Sequence, residues 1–242
     1  EMAFILDNAE AKVVLVEGEF LDHFNKVELP LNPLIIEVGG DGTNVSYSEW
    51  IHGQSEDDPG YPSGLDDTGA QLYTSGTTGL PKGAELSNRN FEAIIQPISD
   101  MIGVTSESVM LHILPMFHIG GSGVANVGLF NGATNVVHRD VDPGRIFADI
   151  PKYRVTTSFM VPALLQVLPM IPGASDVDFS SLETIFYGAS PITEELLKTA
   201  QAIFKTCSFF QLYGLTETVG AGTALQQNEA SRAGPLRASL DA

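Results

Sequence analysis

From about residue 107 to residue 213, short β-branched apolar runs alternate with stretches of helical periodicity, and this alternation constrains the fold more than any other feature. Residues 109–114, 134–138, 155–161, 182–187 and 208–212 read as strands. Between them Asp142 and Pro143 open a helix whose Ile146, Phe147 and Ile150 share one face, and Pro162 opens another. Thr193 caps a third, with Leu196, Leu197, Ala200, Ile203 and Phe204 on one side. Its Glu194 and Glu195 at the start and Lys205 near the end suit the helix macrodipole. Strands that recur after a helix cannot pair by hairpins. The expected fold class is therefore α/β, with mostly parallel sheets flanked by helices.

The leading part is thinner. Met2, Ile5, Leu6 and Ala9 are spaced as on a helix that runs into a strand ending near Val16, and residues 34–38 read as a second strand. Residues 39–68 carry glycines and acids, with no Lys or Arg between Lys26 and Lys82, and read as a solvated connection. Over the whole chain 12 Lys+Arg face 30 Asp+Glu, a formal charge of −18. That balance argues against a nucleic-acid surface or an anchor on anionic lipid, both of which need basic patches, while leaving room for a small anion held locally. With 43% apolar and 17% charged residues, a sizeable core is available. The lone Cys207 excludes an internal disulfide and reads as a small buried hydrophobe. Apolar runs fall well short of the roughly 18 residues of a membrane span. No basic leader precedes one, and the expected location is the cytoplasm.

The densest chemical signal is Tyr73-Thr74-Ser75-Gly76-Thr77-Thr78-Gly79-Leu80-Pro81-Lys82-Gly83. Its glycines let the backbone curl and turn amides toward an anion, the hydroxyls of Thr74, Ser75, Thr77 and Thr78 add neutral donors, and Lys82 adds a full charge. Such a set suits a polyphosphate. It is not a Walker A loop. Leu80 and Pro81 separate Gly79 from the lysine, no Ser or Thr follows it, and the next residues read as a strand before a helix capped at Ser87 or Asn88.

Further polar or glycine-bearing segments follow predicted strands. Pro115-Met116-Phe117-His118-Ile119-Gly120-Gly121, Gly188-Ala189-Ser190-Pro191 and Tyr213-Gly214-Leu215-Thr216-Glu217 all sit where a parallel sheet places ligands, beyond the carboxyl ends of strands. The turn at Gly188 suits a flat ring, and Tyr213 has a face that can stack on a base. Glu217 is a hard oxygen donor of the kind that binds Mg²⁺ beside phosphates. His118 has no second ligand at metal spacing, which leaves a packed histidine or a pocket residue.

Residues 73–83 closely resemble the AMP-binding signature of the adenylate-forming enzymes, the superfamily of acyl-CoA synthetases, firefly-type luciferases and peptide-synthetase adenylation domains. Tyr213–Glu217 is similar to the same family's Tyr-Gly-x-Thr-Glu motif. The resemblance implies that Lys82 and residues Thr74, Ser75, Gly76, Thr77, Thr78 and Gly79 hold the phosphates of ATP. It implies that Gly188, Ala189, Ser190, Tyr213, Gly214 and Leu215 receive adenosine, that Thr216 contacts the α-phosphate region, and that Thr74 and Glu217 contact Mg²⁺. His118 then lines or gates the acid pocket, with Gly120 and Gly121 leaving room for an acyl chain and Val161 and Pro162 as apolar walls. Peptide-synthetase domains usually carry an aspartate-bearing motif where this chain has Phe117-His118, which favours an acid without an α-amino group. The implied activity is ATP-dependent activation of a fatty or aryl acid, then thioester formation with CoA, with lysine, glutamate, threonine and histidine (Lys82, Glu217, Thr216, His118) as the working groups.

The resemblance runs from about residue 66 to 225, and more loosely from residue 1. It implies a partial leading α/β segment at 1–66 and an AMP-binding core at 67–242, the middle of a large N-terminal domain. The family's ribose-binding aspartate, hinge and lid lysine have no match here, so the chain by itself is expected to be inactive. Another adenylating enzyme, or a nucleotide-binding module without catalysis, stays open as an alternative.

Overall fold

The computed structural model describes residues 1–29, 31–40, 42, 44–76 and 79–227. The chain divides into two compact units, Glu1–Glu85 and Leu86–Ala242. The division lies inside the stretch that the sequence groups as 67–242.

In the first unit, α1 (Met2–Asn8) leads into β1 (Val13–Glu17), then a 3₁₀ turn and the short α2 (Leu21–Phe24). β2 (Leu34–Val38) and β3 (Val45–Ser46) follow, with α3 (Tyr47–Ile51) next. β1, β2 and β3 form a parallel sheet in that order, with Leu15 opposite Ile36 and Ile36 opposite Val45. Val16, Leu21 and Phe24 make a small core against Met2, Leu6 and Leu29. The acidic stretch is less bare than its composition suggests. Ser46 accepts a hydrogen bond from the Glu49 amide at 3.2 Å and thereby starts α3. Glu37, 1% exposed, points its carboxylate into the following loop and accepts from the amides of Gly42 (3.0 Å) and Asn44 (3.2 Å). β4 (Thr68–Thr74) and β5 (Lys82–Ser87) pair as a separate two-stranded sheet.

The second unit begins with α4 (Asn88–Ile102). Ser87 accepts from the Asn90 amide at 3.3 Å while Asn90 returns a side-chain oxygen to the Ser87 amide at 2.9 Å, a reciprocal cap. The strands are β6 (Val109–His112), β7 (Thr134–Val137), β8 (Thr157–Met160), β9 (Thr184–Tyr187), β10 (Ser208–Tyr213) and β11 (Thr223–Gln226). The helices are α5 (Ile119–Phe130), α6 (Pro143–Tyr153), α7 (Pro162–Val167) and α8 (Glu194–Ile203). The sheet order is β11-β10-β9-β8-β6-β7. Every neighbouring pair is parallel except β10 with β11, where the connection from Gly214 to Gly222 is too short for a crossover helix and the chain turns back. The expected α/β class with mostly parallel strands holds, with one antiparallel edge.

Strand alternation sends side chains to two faces. Leu111, Met160, Ile185, Tyr187 and Phe209 pack with Ile146, Ile150, Leu165 and Leu197 on one side. Met110, Phe159, Phe186, Phe210 and Leu212 pack with Ile95, Ile102 and Val127 on the other. The sequence reading lacks α5, since it takes Gly120 and Gly121 as room for an acyl chain and places no helix there. The helix forms there because the His118 ring accepts from the Gly120 amide at 3.0 Å and because Ile119 and Val127 are buried, although Leu129 and Phe130 at its end are exposed.

Some polar groups in this core are paired, while Nδ1 of both His112 and His138 has no hydrogen-bond partner among the described residues. His112 Nε2 lies 2.6 Å from Asn135 Oδ1, and burial, opposed by that bond, holds its pKa below the ordinary histidine value of 6.5. His138 lies 2.9 Å from Asp149, which also faces Arg145 and Lys152. Cys207 gives its thiol to the Leu182 carbonyl, and burial, slightly offset by a hydrogen bond with Thr206, pushes its pKa up to about 12. It is the inert, packed cysteine that the sequence leads one to expect.

Candidate active site

In the first unit, β4 ends at Thr74 and β5 begins at Lys82, so the glycine-rich segment is a strand–loop–strand element. Thr74 Oγ1 donates to the Lys82 carbonyl at 3.5 Å across the loop's base, and the Gly79 amide donates to the Gly76 carbonyl at 3.3 Å. A side chain on Gly76 would put its Cβ 2.5 Å from the Leu80 carbonyl oxygen, so the backbone can fold back only with glycine there. Ser75 and Lys82 are exposed, and the Lys82 ammonium makes no ion pair among the described residues. Tyr73 donates to Asn8 Oδ1 at 2.6 Å; desolvation first, then the charge of Glu85, raises its pKa. Thr77 and Thr78, assigned to phosphate by sequence, lie outside the described residues. The described residues of the loop thus offer the Ser75 hydroxyl and the Lys82 ammonium to an anion.

In the second unit, the segments after β6, β9 and β10 do fall at carboxyl ends of parallel strands. Because β9 and β10 are adjacent, their exit turns lie side by side. A Cβ at Gly188 would sit 2.4 Å from the Leu212 carbonyl oxygen, and one at Gly214 would sit 2.4 Å from that of Gly220, so both turns depend on backbone contact. Ala189 (φ 67°) and Val219 (φ 55°) hold left-handed conformations that cost a side-chain-bearing residue, most of all a β-branched one. The turn after β10 is tied by Thr218, whose Oγ1 accepts from the Leu215 amide at 2.9 Å, and by the Gly220 amide on the Leu215 carbonyl at 2.9 Å. Tyr213 is 68% exposed, free to offer its ring. Glu217 is exposed, and its carboxylate makes no hydrogen bond or ion pair among the described residues. Among the described residues, no group of three or more His, Cys, Asp or Glu gathers as a metal cage. A single free carboxylate fits an ion that keeps most of its water and takes its remaining ligands from phosphate, as Mg²⁺ does.

Beneath these turns lies a cavity of about 270 Å³. Ile94, Ile95 and Ile98 of α4 and Val124 and Val127 of α5 form its sides, and Phe159, Phe186 and Leu212 of the sheet form its floor. The sequence-assigned residues His118, Gly120, Ala189, Gly214, Leu215 and Thr216 line it as well. Its only polar side chains are those of His118 and Thr216, among the described residues. His118 Nδ1 accepts from the Gly120 amide, which leaves Nε2 as the ring nitrogen open to a ligand.

Other sequence-assigned residues are not in this lining. Gly121 faces the preceding loop, where a Cβ would lie 2.2 Å from the Pro115 carbonyl oxygen; it permits packing of the chain, not space for a ligand. Val161 packs against the core on the opposite sheet face, and Pro162 is buried at the first turn of α7. The alternation that points Phe159 into the cavity turns Met160 away from it.

Residues 1–240 match the family model described as AMP-binding enzyme. The chain belongs to this family. The AMP-binding match extends past residue 225, where the sequence resemblance fades. The fatty acid–[acyl-carrier-protein] ligase ScoC of Streptomyces coeruleorubidus is 35% identical over 231 residues, covering 93% of this chain and 43% of ScoC. The chain therefore spans less than half of that relative's length. The inhibitor-bound N-terminal domain of FACL13 from Mycobacterium tuberculosis superposes with a TM-score of 0.85 at 27% identity, covering 96% of this chain and 57% of that one. ATP-bound MatB from Rhodopseudomonas palustris gives 0.81 at 28% identity, covering 93% and 44%. The α/β architecture is that of the N-terminal domain of AMP-binding enzymes. Among the described residues, no helix is long and apolar enough to cross a membrane.

Sequence reasoning missed Phe159, Phe186, Val219 and the isoleucines Ile94, Ile95 and Ile98 as cavity residues. There was no signal for the isoleucines, since positions i, i+1 and i+4 are ordinary for one apolar helix face. For the phenylalanines there was none, because an inward strand residue reads the same whether it meets another side chain or a void.

Proposed function

We propose that this AMP-binding chain takes part in activating a carboxylic acid with ATP and passing the acyl group to the thiol of CoA. The acid's carboxylate oxygen attacks the α-phosphorus, a P–O bond forms, and pyrophosphate leaves. The thiol sulfur then attacks the acyl carbonyl, the C–O bond to phosphate breaks, AMP leaves, and the thiol proton passes to solvent. In this reading Lys82, Ser75 and the amides of the loop bind phosphate, Tyr213 and the Gly188–Ser190 turn hold adenosine, and Thr216 contacts the α-phosphate. His118 donates from Nε2 to the acid's carboxylate and orients it, and the apolar cavity takes the tail. Thr74 and Glu217 would hold Mg²⁺, which supplies neutralisation of phosphate charge. Most of the work assigned to the protein is positioning and charge stabilisation.

The observation that carries the reading is the cavity itself. It is apolar within, carries His118 and Thr216 as its polar side chains, and opens among the glycine turns that the adenine is assigned to. An amino acid would bring an ammonium, and no carboxylate lines the cavity among the described residues. Acid-dependent ATP–pyrophosphate exchange in the full-length protein tests the proposal. Exchange with fatty or aryl acids supports it, and turnover of amino acids alone would overturn it. A second acceptor reading, the thiol of an acyl-carrier protein, is favoured by the 35% identity to ScoC. Comparing product formation with CoA and with a carrier protein separates the two. The proposed compartment is the cytoplasm, checked by fractionation of cells expressing the full-length protein.

A further inference from the structure

After β10 ends at Tyr213, a single 3₁₀ turn, Thr216–Thr218, lies on the way to β11. The Leu215 carbonyl accepts from the Thr218 amide at 3.1 Å and from the Gly220 amide at 2.9 Å, and the Gly222 amide donates to the Tyr213 carbonyl at 2.8 Å. To this backbone frame Thr218 adds a side-chain clasp. Its Oγ1 accepts from the Leu215 amide at 2.9 Å and donates to the Leu215 carbonyl at 3.0 Å. A hydroxyl has one hydrogen and two lone pairs, so both bonds form at once.

The clasp works against a local preference. Val219, next to Thr218, has φ 55° and ψ 31°, a left-handed conformation that a β-branched residue disfavours. Val219 is buried, and its carbonyl oxygen lies 3.6 Å from where a Cβ on Gly123 of α5 would sit. The turn therefore rests on α5, and any slack in it goes to the exposed side, where Glu217 lies. Thr216 and Glu217 are the two residues between the ends of the clasp. The Glu217 carboxylate has no hydrogen bond or ion pair of its own among the described residues, so its place is set by the backbone beneath it.

We propose that Thr218 is a positioning residue: its hydroxyl fixes the Leu215–Thr218 turn so that Glu217 presents its carboxylate to the Mg²⁺ of bound ATP. The inference rests on the reading of Glu217 as a metal contact. The hydrogen bonds show what the hydroxyl adds. Without it the Leu215 carbonyl keeps the Thr218 and Gly220 amides, whereas the Leu215 amide loses the Oγ1 that it meets. Leu215 is 55% exposed, so water can reach the turn and replace that bond. Loss of the hydroxyl thus loosens the turn at small cost to the fold, and the cost falls on the metal contact that the turn aims.

The experiment is calorimetric titration of the full-length protein with ATP, once in EDTA and once in excess MgCl₂, the ratio of affinities being the gain due to the ion. Thr218→Val keeps the shape of the side chain and removes the hydroxyl; it should reduce that gain about fivefold, the weight of one hydrogen bond. Thr218→Ser, which restores the hydroxyl, should keep the gain within about twofold of the parent. In a Glu217→Ala background Thr218→Val should change the gain less than about twofold, because the group it positions is gone. The urea midpoint of Thr218→Val should stay within about 0.5 M of the parent. If that variant does not unfold cooperatively, Thr218→Ala takes its place with the same expectations. An unchanged gain in Thr218→Val beside a reduced one in Glu217→Ala would overturn the positioning role and leave the metal reading standing. A loss in Thr218→Ser as large as in Thr218→Val, or the same loss from Thr218→Val with and without Glu217, would also overturn it, since the residue would then act through the fold. An unchanged gain in Glu217→Ala alone defeats the metal reading, and the role of Thr218 falls with it.

Discussion

In the loop between β4 and β5, Ser75 and Lys82 are exposed and none of the described loop residues from Ser75 to Lys82 belongs to an apolar core cluster. In the second unit, Ile95, Phe159, Phe186 and Leu212 line the cavity and are at the same time part of the packing behind the sheet. Under the proposed function, affinity in the first region would come from donors and charge supported by one turn, and in the second from the same contacts that hold the fold. Changes to the loop should therefore cost binding without stability, and changes around the cavity should cost both.

The largest effect should come from Gly214→Val. Its Cβ would be driven to within 2.4 Å of the Gly220 carbonyl oxygen, both turns at the cavity mouth would have to move, and we expect a loss of ~3 kcal/mol or more in urea unfolding. A loss below about 0.5 kcal/mol would break the contrast from the cavity side. Next, Lys82→Ala should weaken ATP by about 10- to 100-fold in titrations, the weight of one charge-assisted contact, with the urea midpoint unchanged. A destabilised variant would break the contrast from the loop side. Glu217→Ala should reduce the gain in ATP affinity on adding Mg²⁺ severalfold, read as the ratio of titrations with and without the ion, again without a shift in unfolding. An unaltered ratio would remove Glu217 from the metal role.

The smallest effect concerns pH. His112 is buried with its pKa lowered, so the unfolded chain binds the proton more readily than the folded one. Its contribution to stability is fully present above the ordinary value of 6.5 and is lost as pH falls from there through the folded pKa. The slope cannot exceed about 1.4 kcal/mol per pH unit for one such group. His112→Gln, which keeps an amide within reach of Asn135, should flatten the dependence of unfolding free energy on pH below 6.5. An unchanged slope would show that the sensitivity lies elsewhere.

The contrast also explains what could be read from sequence. Asp142-Pro143 and Thr193 gave helix starts that the structure reproduces, with Asp142 accepting from the Gly144 amide at 2.8 Å and Thr193 from the Leu196 amide at 3.2 Å, because a cap is a local bond between near neighbours. The glycine-rich loop was equally local, a pattern of glycine, hydroxyl and lysine within eleven residues. The cavity was not. Its lining comes from α4, α5 and four strands or their exit turns, and composition does not say which buried apolar residue meets a void. Hence Val161 and Pro162 were assigned as walls while Phe159, two residues earlier and on the other face, forms the floor. Glycine misled in the same way, since Gly120 borders space and Gly121 borders the Pro115 carbonyl.

One buried group simplifies the chemistry of probing this site. Burial pushes the pKa of Cys207 up to about 12, so its sulfur is almost entirely un-ionised at neutral pH. Maleimide labelling would thus pass over the native thiol and modify a cysteine introduced at the exposed rim position Ala189. A fluorophore attached there would report ligand entry into the cavity without first deleting a residue from the core.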